Sequence, residues 1–202
     1  MVIDNKVKLI EKLFGLLDTE ISAFQSKANL HCISGCGNCC TKPDIEASPL
    51  EFLPWVFYLF LNGQAEEMLE KLKQKTTANC QMYLPITLLD TNNGSCSDYK
   101  YRGLICRLFG YAASRDKYGE LRLATCKIIK ENQNENFLQT EEAISKGLYV
   151  PIFTDYYMNL SQIDFQLGTT ILPINKAIIT AIEEVLQYYA YRPFPDGLKN
   201  SA

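Results

Sequence analysis

A chain of 202 residues, 47% hydrophobic and 21% charged, can bury a core of its own, so it needs no cysteine cross-links to make up for small size. Its net charge of -3, with basic residues scattered rather than gathered into a stripe, argues against a nucleic-acid surface. A single domain over residues 1–202 is the economical expectation.

The N-terminal stretch MVIDNKVKLIEKLFGLLDTE mixes charges with its apolar residues and lacks a small-residue cleavage site, so it does not read as an export signal. A chain without such a signal is expected in the reducing cytoplasm, where thiols stay free to ligate metal. Ile3, Val7, Ile10, Phe14, Leu17, Ile21 and Phe24 alternate spacings of four and three, which predicts an amphipathic helix. The repeat is short and Gly15 interrupts it, so the helix should pack on the domain's own core rather than form a coiled coil.

HCISGCGNCC, from His31 to Cys40, sets four cysteines beside the only histidine of the chain. Thiolate is a soft anionic ligand suited to zinc, copper(I) or iron-sulfur clusters, and the two-residue gap between Cys36 and Cys39 lets one tight turn present two sulfurs to one ion. Gly35 and Gly37 flank Cys36 and permit close backbone approach. Cys39 and Cys40 are adjacent, and side chains of neighbours in an extended chain point to opposite sides, so one of the two should ligate and the other face elsewhere. Which of them ligates stays open at this point. The number of thiols makes His31 unnecessary as a ligand, and a lone histidine gives a histidine-paired nucleophile or a histidine-rich catalytic zinc site little to be built from.

SPLE, from Ser48 to Glu51, is a capping box with proline at the first helical position, so a helix should begin at Pro49 and stop at Asn62 and Gly63. Its apolar run from Phe52 to Leu61 is about half the ~20 residues that span a membrane, and no membrane is expected. Pro54 should kink this helix. A polar helix follows from Gln64 to Lys75, then β-prone MYLPITLL (82–89) and the turn-forming DTNNGS. YAASRDKYGELRLATC predicts a hairpin turning at Tyr118 and Gly119. Thr140 should cap a short helix through Lys146 that Gly147 ends, and Pro173 should open a long one carrying Ile174, Ile178, Ala181, Val185 and Tyr188, with Pro193 marking its end. The tyrosines of DYYMNL and QYYAYRPF are expected to pack in the core with their hydroxyls at its rim. The fold class is mainly α (α+β), with helices at both ends around a cysteine-rich irregular centre that holds a small β-hairpin.

Cys80, Cys96, Cys106 and Cys126 stand singly in that centre, and Lys42, Arg102 and Arg107 are basic neighbours expected to moderate the charge of gathered thiolates. CISGCGNCC, followed by the S-x-x-E helix start, resembles the N-terminal cluster of the YkgJ or CxxCxxCC family of cysteine-cluster proteins. CSDYKYRGLICRLFGY is similar to the family's second signature through Cys96, Tyr99, Arg102, Cys106, Arg107 and Phe109, and Cys126 resembles a further downstream cysteine. The resemblance spans about residues 29–130. Three residues separate Cys32 from Cys36 where the family's name implies two, Gly103 replaces a family proline, and LPITLLD lacks a cysteine the family often carries. Cys80 lies farther upstream and the pattern does not place it among the ligands.

The resemblance implies a protein that binds zinc or iron, the iron alternatively as a 4Fe-4S cluster, and with the cytoplasmic placement expected above the candidate ligands are Cys32, Cys36, Cys39, Cys40, Cys96, Cys106 and Cys126, with Cys80 left open. No reaction follows from it, and no protein partner. An iron-sulfur enzyme or electron carrier, distantly like the flagellin lysine N-methylases, is the alternative, and a thiol redox sensor the third reading.

Overall fold

The structure is a computed structural model that describes residues 1–86 and 94–195. Helix α1 (Ile3–Ala28) buries all seven residues of the predicted stripe, and Asn29 closes it in the left-handed conformation, its N–H donating to the Gln25 carbonyl. Strand β1 (Glu46–Ala47) leads into the predicted capping box. Both halves of that box form: Glu51 accepts from the Ser48 N–H at 2.8 Å and the Ser48 side chain engages the turn that follows.

The turn is a 3-10 helix (Pro49–Phe52), and the α-helix proper, α2, covers Leu53–Leu61. Pro54 therefore lies in the first turn of α2, where its missing N–H has no intrahelical partner to lose. The kink expected at Pro54 becomes a change of helix type before it. Helix α3 (Ala65–Gln74) follows, turning Ala65, Leu69 and Leu72 inward and its charges outward.

Strands β2 (Tyr83–Pro85) and β3 (Gly94–Cys96) form a small antiparallel ribbon with Tyr83 opposite Cys96. Residues 87–93, which include the end of the β-prone run and most of the predicted DTNNGS turn, lie outside the described residues. Helix α4 (Leu104–Leu108) comes next, then the predicted hairpin as β4 (Ala113–Arg115) and β5 (Leu121–Leu123), with Ser114 opposite Arg122. Helix α5 (Lys127–Asn132) leads directly into α6 (Asn134–Ser145).

Thr140 does not cap a helix. It sits inside α6, its hydroxyl donating to the Asn136 carbonyl at 2.6 Å and to the Ala28 carbonyl of α1 at 3.3 Å, because packing against α1 extends the helix upstream of the local signal. Gly147 does end the region, with φ +98°. Helices α7 (Phe153–Ser161) and α8 (Phe165–Thr169) follow, then strand β6 (Leu172–Pro173), which pairs antiparallel with β1. Helix α9 (Ile174–Tyr189) buries Ile174, Ile178, Ala181 and Val185 as expected.

Two apolar clusters form. The larger joins α1, α2, α3 and α9 around Trp55, Phe52, Ile10 and Leu17. The smaller collects Phe24, Ala28, Leu30, Ala113, Leu123, Ile129, Ile144 and Val150 between the end of α1, the β4–β5 hairpin and α6. Of the C-terminal aromatics, Tyr156 is buried and Tyr189 stacks on Phe60 at 4.7 Å, whereas Tyr191 lies on the surface. Among the described residues no helix is long and apolar enough to cross a membrane. The protein is thus mainly α with small two-stranded ribbons, helices at both ends and the cysteines between them.

Candidate metal centre

The segment from Leu30 to Ile45 is irregular apart from one 3-10 turn over Asn38–Thr41, and this turn carries Cys39 and Cys40. Gly37 precedes it with φ +56°, a conformation that favours glycine. A Cβ there would also come within 2.7 Å of the Tyr83 ring and 2.9 Å of the Gly94 carbonyl. The cysteine segment is therefore laid directly on the β2–β3 ribbon, to which the Gly35 carbonyl is fastened by the Gly94 N–H at 2.9 Å.

Other tethers bring distant cysteines to this segment. The Cys80 N–H donates to the Cys40 carbonyl at 2.9 Å, and the turn holding Cys80 is clamped by Asn175 at the start of α9, which accepts from the Gln81 N–H and donates to the Asn79 carbonyl. Cys96 ends β3. Cys106 rides on α4, whose start is fixed by Glu51: the Ile105 N–H donates to Glu51 Oε2 at 2.9 Å. A Cβ at Gly103 would meet that same carboxylate oxygen at 2.9 Å, which gives the missing family proline a reason.

On the other side, Cys32 is held where the Cys32 N–H donates to the Tyr111 hydroxyl at 2.8 Å, and His31 exchanges two backbone hydrogen bonds with the Gln133 side chain, at 3.0 and 2.7 Å. Cys126 begins α5 there as its N-cap, its sulfur accepting from the Ile129 N–H.

The thiols feel one another accordingly. The Cys40 thiol donates to the Cys39 sulfur and holds Cys39 down at about 6, while the same contact, and then burial, push Cys40 up. Burial pushes Cys80 up to about 11, with the Cys96 and Cys39 charges adding to it. Burial likewise raises Cys96 and Cys106, the latter reinforced by Cys80, Glu51, Cys39 and Cys96. Cys32, although its side chain is exposed, is pushed up to about 11 by the partial loss of solvent around its sulfur and then by Cys36, Cys39 and Cys126. All eight cysteines are free thiols.

Two expectations change. Cys39 and Cys40 lie in a helical turn rather than an extended one, so the alternation that would set them on opposite sides does not apply, and the Cys40 thiol acts on the Cys39 sulfur. Cys80, which the pattern leaves open as a ligand, lies close enough to Cys39, Cys40, Cys96 and Cys106 for their charges to act on one another, its N–H bonded to the Cys40 carbonyl. The basic neighbours divide. Lys42 stays exposed, and Arg102 lowers Cys96 only as a lesser influence beside burial. The buried Arg107 pairs with Asp18 of α1, donates to the Lys100 and Arg102 carbonyls, and lies over the Phe14 ring at 4.6 Å. It locks the Cys96–Cys106 loop to α1. Tyr111, Gln133 and Asn175, which position the site, carry no local sequence signal, since each acts on residues far away in the chain.

The donor chemistry of eight free thiols fits zinc or iron. Among the described residues no three side chains of Cys, His, Asp or Glu converge closely enough to hold one ion as they stand.

A mainly helical scaffold presenting eight thiols from an irregular centre defines a cysteine-cluster protein. Residues 31–142 match the CxxCxxCC family, described as "Putative zinc- or iron-chelating domain", and the chain belongs to that family. No curated protein and no solved structure matches the chain.

Proposed function

We propose that this chain is a cytoplasmic metal-binding protein that holds zinc or iron through cysteine thiolates, working as one domain over residues 1–202. The ligands come from Cys32, Cys36, Cys39, Cys40, Cys96, Cys106 and Cys126, with Cys80 joining them. The observation that carries the reading is that cysteines from four other stretches of chain, at Cys80, Cys96, Cys106 and Cys126, are set around the irregular segment that carries Cys32 to Cys40, the backbone of that segment being tied directly to the Cys80 turn and to the strand that ends in Cys96. Free thiols suit a reducing compartment.

Bound metal would supply a fixed positive charge that keeps the thiolates ionised and ties the irregular centre to the helices. The chain's own part is to position and tune. Glu51 fixes the backbone just before Cys106, Asn175 fixes it on both sides of Cys80, and the 3-10 turn sets Cys39 and Cys40 next to each other. Because the thiols stand apart, loading requires side-chain rotation and closure of the segment from Leu30 to Ile45, which regular secondary structure does not oppose.

Elemental analysis of protein purified without oxygen tests the reading. Zinc or iron at near-stoichiometric amounts is expected, and a chain carrying neither overturns it. A colourless zinc protein separates from a brown iron-sulfur one, whose broad visible absorption is bleached by dithionite. A second reading, thiol redox sensing, draws support from the depressed Cys39 alone. It predicts a Cys39 that oxidises reversibly even in metal-free protein, and metal-dependent protection of all the thiols would count against it.

A further inference from the structure

Away from the cysteines, the start of α1, helix α2 and the end of α9 surround a hollow of about 500 Å3 that is open to solvent. No residue lining it is a cysteine or a chain neighbour of one. Its wall is built of rings. Tyr189 stacks on Phe60 at 4.7 Å and lies beside Phe57 at 6.2 Å, and Tyr188 meets Tyr189 edge-on at 4.9 Å. Phe194, in the segment after α9, stacks on Phe60 at 5.2 Å. Each ring is braced by another, so the wall stands without a ligand, and the volume falls in the range of about 300–1,000 Å3 that small-molecule sites occupy.

Three charged side chains reach the hollow, those of Asp4, Lys8 and Arg192. Asp4 and Lys8 pair with each other at 2.7 Å. Arg192 stands otherwise. Its guanidinium lies over the Tyr188 ring at 4.1 Å and one of its N–H groups donates to the Tyr188 carbonyl at 2.8 Å, yet no carboxylate among the described residues pairs with it. The guanidinium is thus held in place with most of its donors unused. Sharing Asp4, Lys8 and Phe57, a smaller hollow of about 210 Å3 adjoins the first, and there the added charge beside the rings is the Glu11 carboxylate.

We propose that this hollow is a binding site for a small planar aromatic carboxylate, its ring against Tyr189 and Phe194 and its carboxylate on Arg192. A guanidinium fork meets both oxygens of a carboxylate, and a flat aromatic face suits a wall made of rings. One unpaired cation calls for one negative charge. A phosphate dianion would need a second, and Lys8 is committed to Asp4, whose own carboxylate would repel it. Glu11 sets the direction, because its charge turns the carboxylate end of the ligand away from the smaller hollow and toward Arg192. Binding here is independent of metal, since no cysteine takes part.

The experiment titrates the full-length protein, purified without oxygen, in a calorimeter with three probes of one ring system: 2-naphthoate, the neutral 2-naphthalenemethanol and the cationic 2-naphthylmethylammonium. Wild type is compared with Arg192→Met, Phe194→Ala and, as a control, Tyr191→Ala, whose ring lies on the surface beside the hollow without lining it. Arg192 and Phe194 are exposed, so both variants should fold, and circular dichroism checks that they do. Wild type is expected to bind one naphthoate, at least about tenfold more tightly than the neutral alcohol, the worth of a charge-assisted hydrogen bond. Arg192→Met should abolish that preference and leave binding of the alcohol as it was. Phe194→Ala should weaken both probes by about threefold or more, as loss of a stacking ring does, and Tyr191→Ala should change neither. A wild type that binds no naphthoate saturably, or binds the alcohol or the ammonium as tightly, overturns the assignment. An Arg192→Met protein that keeps the preference, or a Phe194→Ala protein that binds both probes like wild type, overturns it as well. None of these outcomes bears on the metal content, which is measured separately.

Discussion

Glu51 offers the sharpest test of how the scaffold holds the site. It is fully buried and its carboxylate accepts from the Ser48 N–H at 2.8 Å, the Ser48 hydroxyl at 3.2 Å and the Ile105 N–H at 2.9 Å, with the Tyr157 hydroxyl as a further partner. In Glu51→Ala the two backbone donors lose their acceptor inside the protein, at about 1–3 kcal/mol each. Relief of a buried carboxylate returns part of this, so the net loss should be about 3 kcal/mol, or about 6–12 °C in melting temperature for a chain of this size. Glu51→Gln keeps the shape and one acceptor but sets an amide N–H2 where a backbone donor points, and should lose about half as much.

The pH dependence gives a second, independent reading of the same residue. Burial holds the Glu51 carboxyl above the usual carboxylate range, so the folded protein keeps this proton to higher pH than the unfolded chain. In the window from about pH 4 up to the raised folded value the native state binds more protons, and its stability falls as pH rises. That decline should be absent from Glu51→Gln. Urea unfolding of metal-free, reduced protein at a series of pH values measures both effects. Variants within about 0.5 kcal/mol of wild type, with an unchanged pH slope, would refute the reasoning.

Other outcomes follow from the same geometry. In metal-free protein the rate of Cys39 alkylation should titrate with a midpoint of about 6, and in Cys40→Ala, which removes the thiol donor, the midpoint should move toward about 8.5, read by mass spectrometry of alkylated peptides. Arg107→Met leaves the Lys100 and Arg102 carbonyls without their buried donor and should cost about 2–4 kcal/mol in urea unfolding. Gly15 sits in the α1 interior with open space around a would-be Cβ, so Gly15→Ala should stabilise by about 0.5–1 kcal/mol. Gly37→Ala, by contrast, forces a side chain into a left-handed residue pressed on Tyr83 and Gly94, and should lower both melting temperature, by about 1–3 kcal/mol in stability, and metal content.

What could be read from the sequence was what depends on near neighbours. The α1 stripe, the Ser48–Glu51 box, the hairpin at Tyr118 and Gly119 and the α9 pattern are all periodic or local signals, and all appear. Thr140 misled because a capping residue is indistinguishable from a mid-helix one until its tertiary partner, here the Ala28 carbonyl, is known. Helices α4 and α8 are too short to show a period, and their starts depend on Glu51 and Asp164. In the site, the family pattern identified the cysteines but not their neighbourhoods. The place of Cys80 stayed open in the pattern since it depends on Asn175, and the side-by-side setting of Cys39 and Cys40 depends on a 3-10 turn that no periodic signal announces.

The clamp from Asn175 to the Cys80 turn also bears on biosynthesis. During synthesis all eight cysteines leave the ribosome before α9 does, so for a time the nascent chain carries its full complement of thiols without the helix that seats one of them. Metal captured or thiols oxidised in that interval would fix an arrangement lacking Cys80 in its place. On the proposed metal-binding reading, the order of the chain makes docking of α9 the step that has to precede loading of a site that includes Cys80, and leaves the thiols most open to stray metal and oxidant in the interval before that helix emerges.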